Sequence, residues 1–290
     1  MSTSVLTSPA STSSPAGPPT DDVRLTFPRV VRSEWIKFRT LRSTVWTLAS
    51  TLVVMVGIVA LFCLMITAGG DGGGAHAAGG PPNGVIAFSI AATMASLAVA
   101  VLGVLVISGE YSTGMIRSTL AAVPRRLPAV WAKGVVLAAS ILLVSTGAVV
   151  ISLGVMQLFL GSKGLAPDLA DGETVRILAG TALYLTAIAL LAFAIGAILR
   201  HSAGALATIL GLLTVIPTTL ALIPWKPLQL ISPFLPSNAG SMILMPAQTG
   251  PVSPAAVGVV LGPWQGYAVL LCWVAVLLTA AAVLLRRRNA

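Results

Sequence analysis

The chain has 290 residues, of which 56% are hydrophobic and only 9% charged, and its mean hydropathy is +0.96. A domain that must solvate its own surface needs far more charge, so the composition excludes a water-soluble globule and indicates a membrane protein. The net charge of +9 raises nucleic-acid binding as an alternative, and the positions of the cations decide between the two.

Residues 1–27 open with MSTSVLTSPASTSSPAGPPTDD, rich in Ser, Thr and Pro and short of apolar side chains to bury. They read as a disordered cytoplasmic tail. A secretory signal would start with positive charge and carry a short apolar core, and neither is present. Ala75-His76-Ala77 mimics a cleavage site, but the apolar run before it is longer than a signal core.

In PRVVRSEWIKFRTLRSTVW, Val31, Trp35, Phe38, Leu41 and Val45 recur at helical spacing, with Arg32, Lys37 and Arg39 to the sides. This predicts a helix in the cytoplasmic headgroup plane, anchored by Trp and Arg, or alternatively a plain extension of the first span. Glu34 and Arg42 fall close to the apolar arc, which makes the pattern imperfect.

Six runs without Lys, Arg, Asp or Glu follow, at about 46–68, 85–108, 135–160, 177–199, 202–223 and 265–285. Each is long enough to cross a ~30 Å hydrocarbon layer as a helix. They are too long and too uniformly apolar for barrel strands, and lipid offers the backbone no hydrogen-bond partner, so helices are required. Their scattered Gly, Ala, Ser and Thr suit close helix packing. Pro217 is expected to kink the fifth span. The residues from Pro224 to Trp264 are apolar but broken by Pro and Gly, and read as short helices dipping into the outer interface.

With six spans and the N-terminus inside, fourteen of the seventeen Lys and Arg residues are cytoplasmic, and only Lys163, Arg176 and Lys226 are not. The positive-inside rule therefore places both termini in the cytoplasm. The basicity then reports topology and anionic membrane lipids, and no nucleic-acid partner is expected. Cys63 and Cys272 both lie within spans and read as packing residues.

Between the second and third spans, SGEYSTGMIRSTLAAVPRR carries a helix-length polar stretch ended by Pro124. On a helical wheel Glu110, Thr113, Gly114, Arg117 and Ala121 share one side, and Tyr111, Met115, Ile116 and Val123 the other. The paired cations Arg125 and Arg126 follow. A helix with a charged and an apolar side between two spans is suited to lie against another protein.

The run GEYSTGMIRSTLAAVPRR with AVWAKG, together with upstream RSEWIKFRTLRSTVW, resembles permease subunits of the ABC-2 type, particularly stand-alone actinobacterial ones. The outer pieces LPSNAG and LGPWQG fit the same group. The resemblance implies an all-α polytopic integral membrane protein: residues 28–290 would form a six-span permease domain with an N-terminal interfacial helix and a cytoplasmic coupling helix. It also implies pairing with a second permease subunit, identical or not, and two ATPase subunits. Carried over by position, Glu110, Tyr111, Thr113, Arg117, Arg125 and Arg126 would dock or orient the ATPase, with Arg32, Glu34, Lys37 and Arg39 on the neighbouring elbow. The expected role is the membrane-spanning part of an ATP-driven exporter in the cell membrane.

This chain carries no phosphate-loop motif, since Gly161-Ser162-Lys163-Gly164 lacks the spacing. No cofactor is expected in it, and ATP and magnesium would be held by the partner. The charge-free runs also lack the titratable groups that couple transport to an ion gradient, which disfavours a secondary transporter. His76 and His201 have no acidic neighbour in sequence, and Ser140, Ser145 and Ser152 read as packing residues, so catalysis in this chain is not expected. A non-transporting scaffold or immunity protein remains an alternative. A path lined by the second and fifth spans would be apolar with hydroxyls from Thr93, Thr208 and Thr214.

Overall fold

A computed structural model describes residues 27–40, 42–68, 84–112, 126–161, 166–223, 225–246 and 261–287. Among these residues no strand occurs, and six helices are long and apolar enough to cross a membrane. The amphipathic helix α1 spans Phe27–Thr40, and the first two spans are α2 (Arg42–Ala68) and α3 (Gly84–Ser112). The next two are α4 (Arg126–Leu160) and α5 (Gly172–Leu199), and the fifth is α6 (Ser202–Leu222). Short helices α7 (Lys226–Ile231) and α8 (Pro236–Ser241) precede the sixth span, α9 (Pro263–Arg287). The chain is a multi-pass membrane protein. The expected tail and the glycine loop with His76 lie outside the described residues.

Two spans begin earlier than the charge-free windows at 135–160 and 177–199. Helix α4 runs through Lys133 and α5 through Glu173 and Arg176, so the spanning helices do carry charges near their ends. Each of these charges has a local partner: Lys133 meets Glu34 and Arg176 meets Glu173. A paired charge costs a helix end far less than an isolated one, so a charge did not mark the helix boundary.

Helix α5 is the hub, packed against α3, α4, α6 and α9, while α2 lies on α3 and α4, and α1 on α4. Small residues permit this crowding. A Cβ at Gly103 would collide with the Ala189 carbonyl oxygen and reach Ala192 Cβ at 2.9 Å, and one at Gly196 would lie 2.7 Å from Ile107 Cγ2. The backbones of α3 and α5 approach this closely because no side chain stands between them. Three buried hydroxyls are satisfied within their own helices, Ser140, Ser145 and Thr181 donating to the carbonyls of Val136, Ile141 and Ile177.

Helix α6 departs from regularity where Pro217 predicts it. Residues Gly211–Val215 form a π turn between the α-helical pieces Ser202–Leu210 and Ile216–Leu222. The proline ring clashes with the carbonyl four residues back, and a wider turn before it relieves that clash.

Residues 226–244 form the short helices expected from their prolines. Helices α7 and α8 alternate with 3-10 turns at Ser232–Phe234 and Met242–Leu244. This segment sits at the end of the bundle opposite α1, against α5 and α9.

Candidate functional site

The charged residues gather at the end of the bundle where α1, the start of α4 and the α5–α6 joint lie. In α1 the buried side chains are Val30, Glu34 and Phe38, spaced by four so that they form one stripe. Glu34 therefore sits in the middle of the packed face, only 8% exposed. A carboxylate there requires a cation, and α4 supplies it: Lys133 Nζ lies 3.1 Å from Glu34 Oε2. Lys133 is itself only 6% exposed. Lys37, one turn along α1, approaches the other carboxylate oxygen at 3.9 Å. Arg32 and Arg39 are exposed.

The second contact joins α3 to the α5–α6 joint. That joint is two residues long. Arg200 closes α5 in the left-handed conformation, φ 56°, with its N–H donating to the Gly196 carbonyl. His201 then caps α6, its Nδ1 accepting the Gly204 N–H at 3.2 Å. The turn carries the Arg200 guanidinium over the Tyr111 ring, 5.5 Å from its centroid, in the last turn of α3.

These two contacts anchor both roots of the segment 113–125. Its upstream root, the end of α3, is tied through Tyr111 to the α5–α6 joint. Its downstream root, the first two turns of α4, is tied through Lys133 to α1. The expected polar helix from Ser108 onward starts as the continuous end of α3, through Ser112. Thr113, Arg117 and Arg125 lie outside the described residues. Glu110 and Arg126 lie in the terminal turns of α3 and α4. Glu34, expected on the docking surface, is instead buried in the α1–α4 joint, whereas Arg32 and Arg39 are available at the surface.

Sequence reasoning counted Lys133 and Arg200 only as topology-setting cations. A signal for the first was present, because an acid on the apolar arc of an amphipathic helix has to find a cation in its surroundings. Nothing local in the sequence marks the Tyr111–Arg200 contact.

At the opposite end, Arg176 on the first turns of α5 holds the 226–246 segment. Its guanidinium donates to the carbonyls of Ile243 and Met245, each at 2.9 Å, and to Glu173 Oε1 at 3.1 Å. Ser89 Oγ donates to the Leu244 carbonyl at 2.6 Å, and Trp273 Nε1 to that of Phe234 at 3.0 Å. Asp171 caps α5. The Glu173 N–H, then the hydroxyl and N–H of Thr174, donate to its carboxylate and hold it below the usual carboxylate range.

The hydroxyls of Thr93, Thr208 and Thr214 sit on the exposed faces of α3 and α6. They donate to the carbonyls of Ser89, Gly204 and Leu210. Among the described residues no group of three or more His, Cys, Asp or Glu could hold a metal ion.

A scan against models of known protein families finds no match, and a search of curated proteins finds none either. Fold and site together define a six-span helical membrane protein with a doubly anchored polar connection between its second and third spans.

Proposed function

We propose that this chain is the permease subunit of an ATP-driven exporter of the ABC-2 type. It would form the translocation path in the cell membrane, with both termini in the cytoplasm, and pair with a second permease subunit. Separate ATPase subunits would bind ATP and magnesium. The observation that carries the reading is the double anchoring of segment 113–125. A push on that segment reaches α1 and α4 through the Glu34–Lys133 pair. It reaches α3, α5 and α6 through the Tyr111–Arg200 contact. Such a connection converts a local displacement into a rearrangement of most of the bundle, as coupling to a soluble motor requires.

The sequence resemblance of the GEYSTGMIRSTLAAVPRR run supports the same reading, as does the clustering of exposed cations at this end. Arg32, Arg39, Arg117, Arg125 and Arg126 would face the acidic or polar surface of the ATPase, and Glu34 would hold the elbow in place without touching the partner. The large exposed surfaces of α2 and α6 leave room for the second permease subunit.

The test is purification of the tagged chain from native membranes in mild detergent, beside the double variant Arg125→Glu, Arg126→Glu. The expected outcome is a co-purifying phosphate-loop ATPase that hydrolyses ATP with the wild type and is lost or unstimulated with the variant. Unchanged association and ATP turnover in the variant would overturn the docking assignment. Absence of any ATPase, under conditions that preserve other complexes, would favour a non-transporting scaffold or immunity protein.

A further inference from the structure

Helices α4 and α9 flank α5 but meet each other only sparsely. The gap between them is an open groove of about 140 Å³, narrower than a typical small-molecule site. Trp131, Gly134 and Ala138 of α4 form one wall, Phe193 of α5 the floor, and Ala281 and Ala282 of α9 the other wall. The groove exists because Gly134, Ala138, Ala281 and Ala282 are small: a Cβ at Gly134 would meet only Phe193 Cε1, at 3.7 Å. Its rim is open, with Trp131 45% exposed.

We infer that this groove binds one acyl chain of an anionic phospholipid, whose phosphate meets Arg286 and Arg287. Three observations fix that occupant. The lining is apolar throughout, which suits hydrocarbon. From Val130 to Ala138 the groove extends about 12 Å along α4 at 1.5 Å per residue, close to the ~15 Å of one hydrocarbon leaflet. Finally, it ends at the basic end of the bundle, where the last turn of α9 carries Arg286 and Arg287, both exposed. Arg286 is four residues beyond Ala282 and so lies on the same helix face, one turn above the groove. A cation there meets a headgroup whose chain lies below it. The inference needs only the membrane setting and stands apart from the transport reading.

The test uses Trp131 as the reporter. The full chain is reconstituted in dioleoylphosphatidylcholine vesicles containing increasing fractions of phosphatidylglycerol or phosphatidylcholine brominated at mid-chain. The Trp131 signal is the difference between the wild type and Trp131→Phe. Brominated phosphatidylglycerol should reach half-quenching at about fivefold lower mole fraction than brominated phosphatidylcholine. Arg286→Gln with Arg287→Gln should abolish that preference while leaving quenching by both lipids. Filling the groove with Ala281→Phe, or independently with Gly134→Leu, should equalise the two lipids even with both arginines present. Equal half-quenching fractions in the wild type would overturn the inference, as would a preference that survives both the arginine and the groove-filling variants.

Discussion

Replacing either member of the Glu34–Lys133 pair should be the most damaging single change at the basic end of the bundle. The pair is 3.1 Å apart with both side chains under 10% exposed. At an effective dielectric constant of 20 the attraction is about 5 kcal/mol, and stranding one charge of a buried pair costs about 3–5 kcal/mol. Lys133→Met should fall at the lower end, because Lys37 still approaches Glu34 at 3.9 Å and is one-third exposed. Glu34→Leu should fall at the upper end, since it removes the one carboxylate that both Lys133 and Lys37 approach. The double variant should lie near wild type, because two apolar side chains of similar volume replace a pair whose desolvation nearly cancels its attraction. The assay is a double-mutant cycle on unfolding free energy in mixed dodecyl maltoside and dodecyl sulfate micelles, with hydrogen exchange of the α1 amides as a local readout. Single effects below about 1 kcal/mol, with no coupling, are what a solvated surface pair gives. They would refute the claim that this pair locks α1 to α4.

Gly103→Ala and Gly196→Ala should each destabilise by about 1–3 kcal/mol, because α3 and α5 must separate. Gly57→Ala, where nothing lies within 4 Å of the added methyl, should be neutral or stabilise by up to about 1 kcal/mol in the same unfolding assay. Arg176→Met should free the Ile243 and Met245 carbonyls and raise hydrogen exchange across residues 226–246, leaving the α1 end unchanged. Protection of the first turn of α5 should decline as pH falls below about 4: the native carboxylate of Asp171 is held low, so its contribution is complete above its unfolded value and is lost as it protonates. Asp171→Asn should keep the cap but abolish that acid dependence, and an unaltered acid limb would reject the assignment.

The six spans were legible because one physical demand, an unbroken apolar stretch of about 20 residues, leaves its mark directly in sequence. The ends were less legible because charge served as the boundary signal, and Lys133 and Arg176 are tolerated inside helices once a partner neutralises them. Pro217 announced a distortion of α6 but not its form, since the choice of a π turn depends on what packs around it. Of the expected docking residues, the structure exposes Arg32 and Arg39 and buries Glu34. A helical wheel separates apolar from polar arcs but cannot know that α4 will bring an amine to the apolar one. The Arg200 contact was the least legible. It depends on a left-handed residue at a two-residue joint, and arginine carries no sign of that conformation.

During synthesis α5 reaches the bilayer when only part of its surroundings exists. Helices α3 and α4 have already been made, and α6, α8 and α9 have not. The α5 face that carries Tyr184 and Gly180, later covered by Gly240 and Ile243, is bare until the segment after α6 arrives, and Leu270 of the sixth span then closes over Gly240. A nascent chain interrupted after Leu222 would keep all five earlier spans in the membrane yet leave that face without its cover. Membrane proteases that survey unfinished proteins would therefore meet a recognisable defect in C-terminally truncated products. Insertion of this protein is sequential, but closure of its bundle waits for the last span.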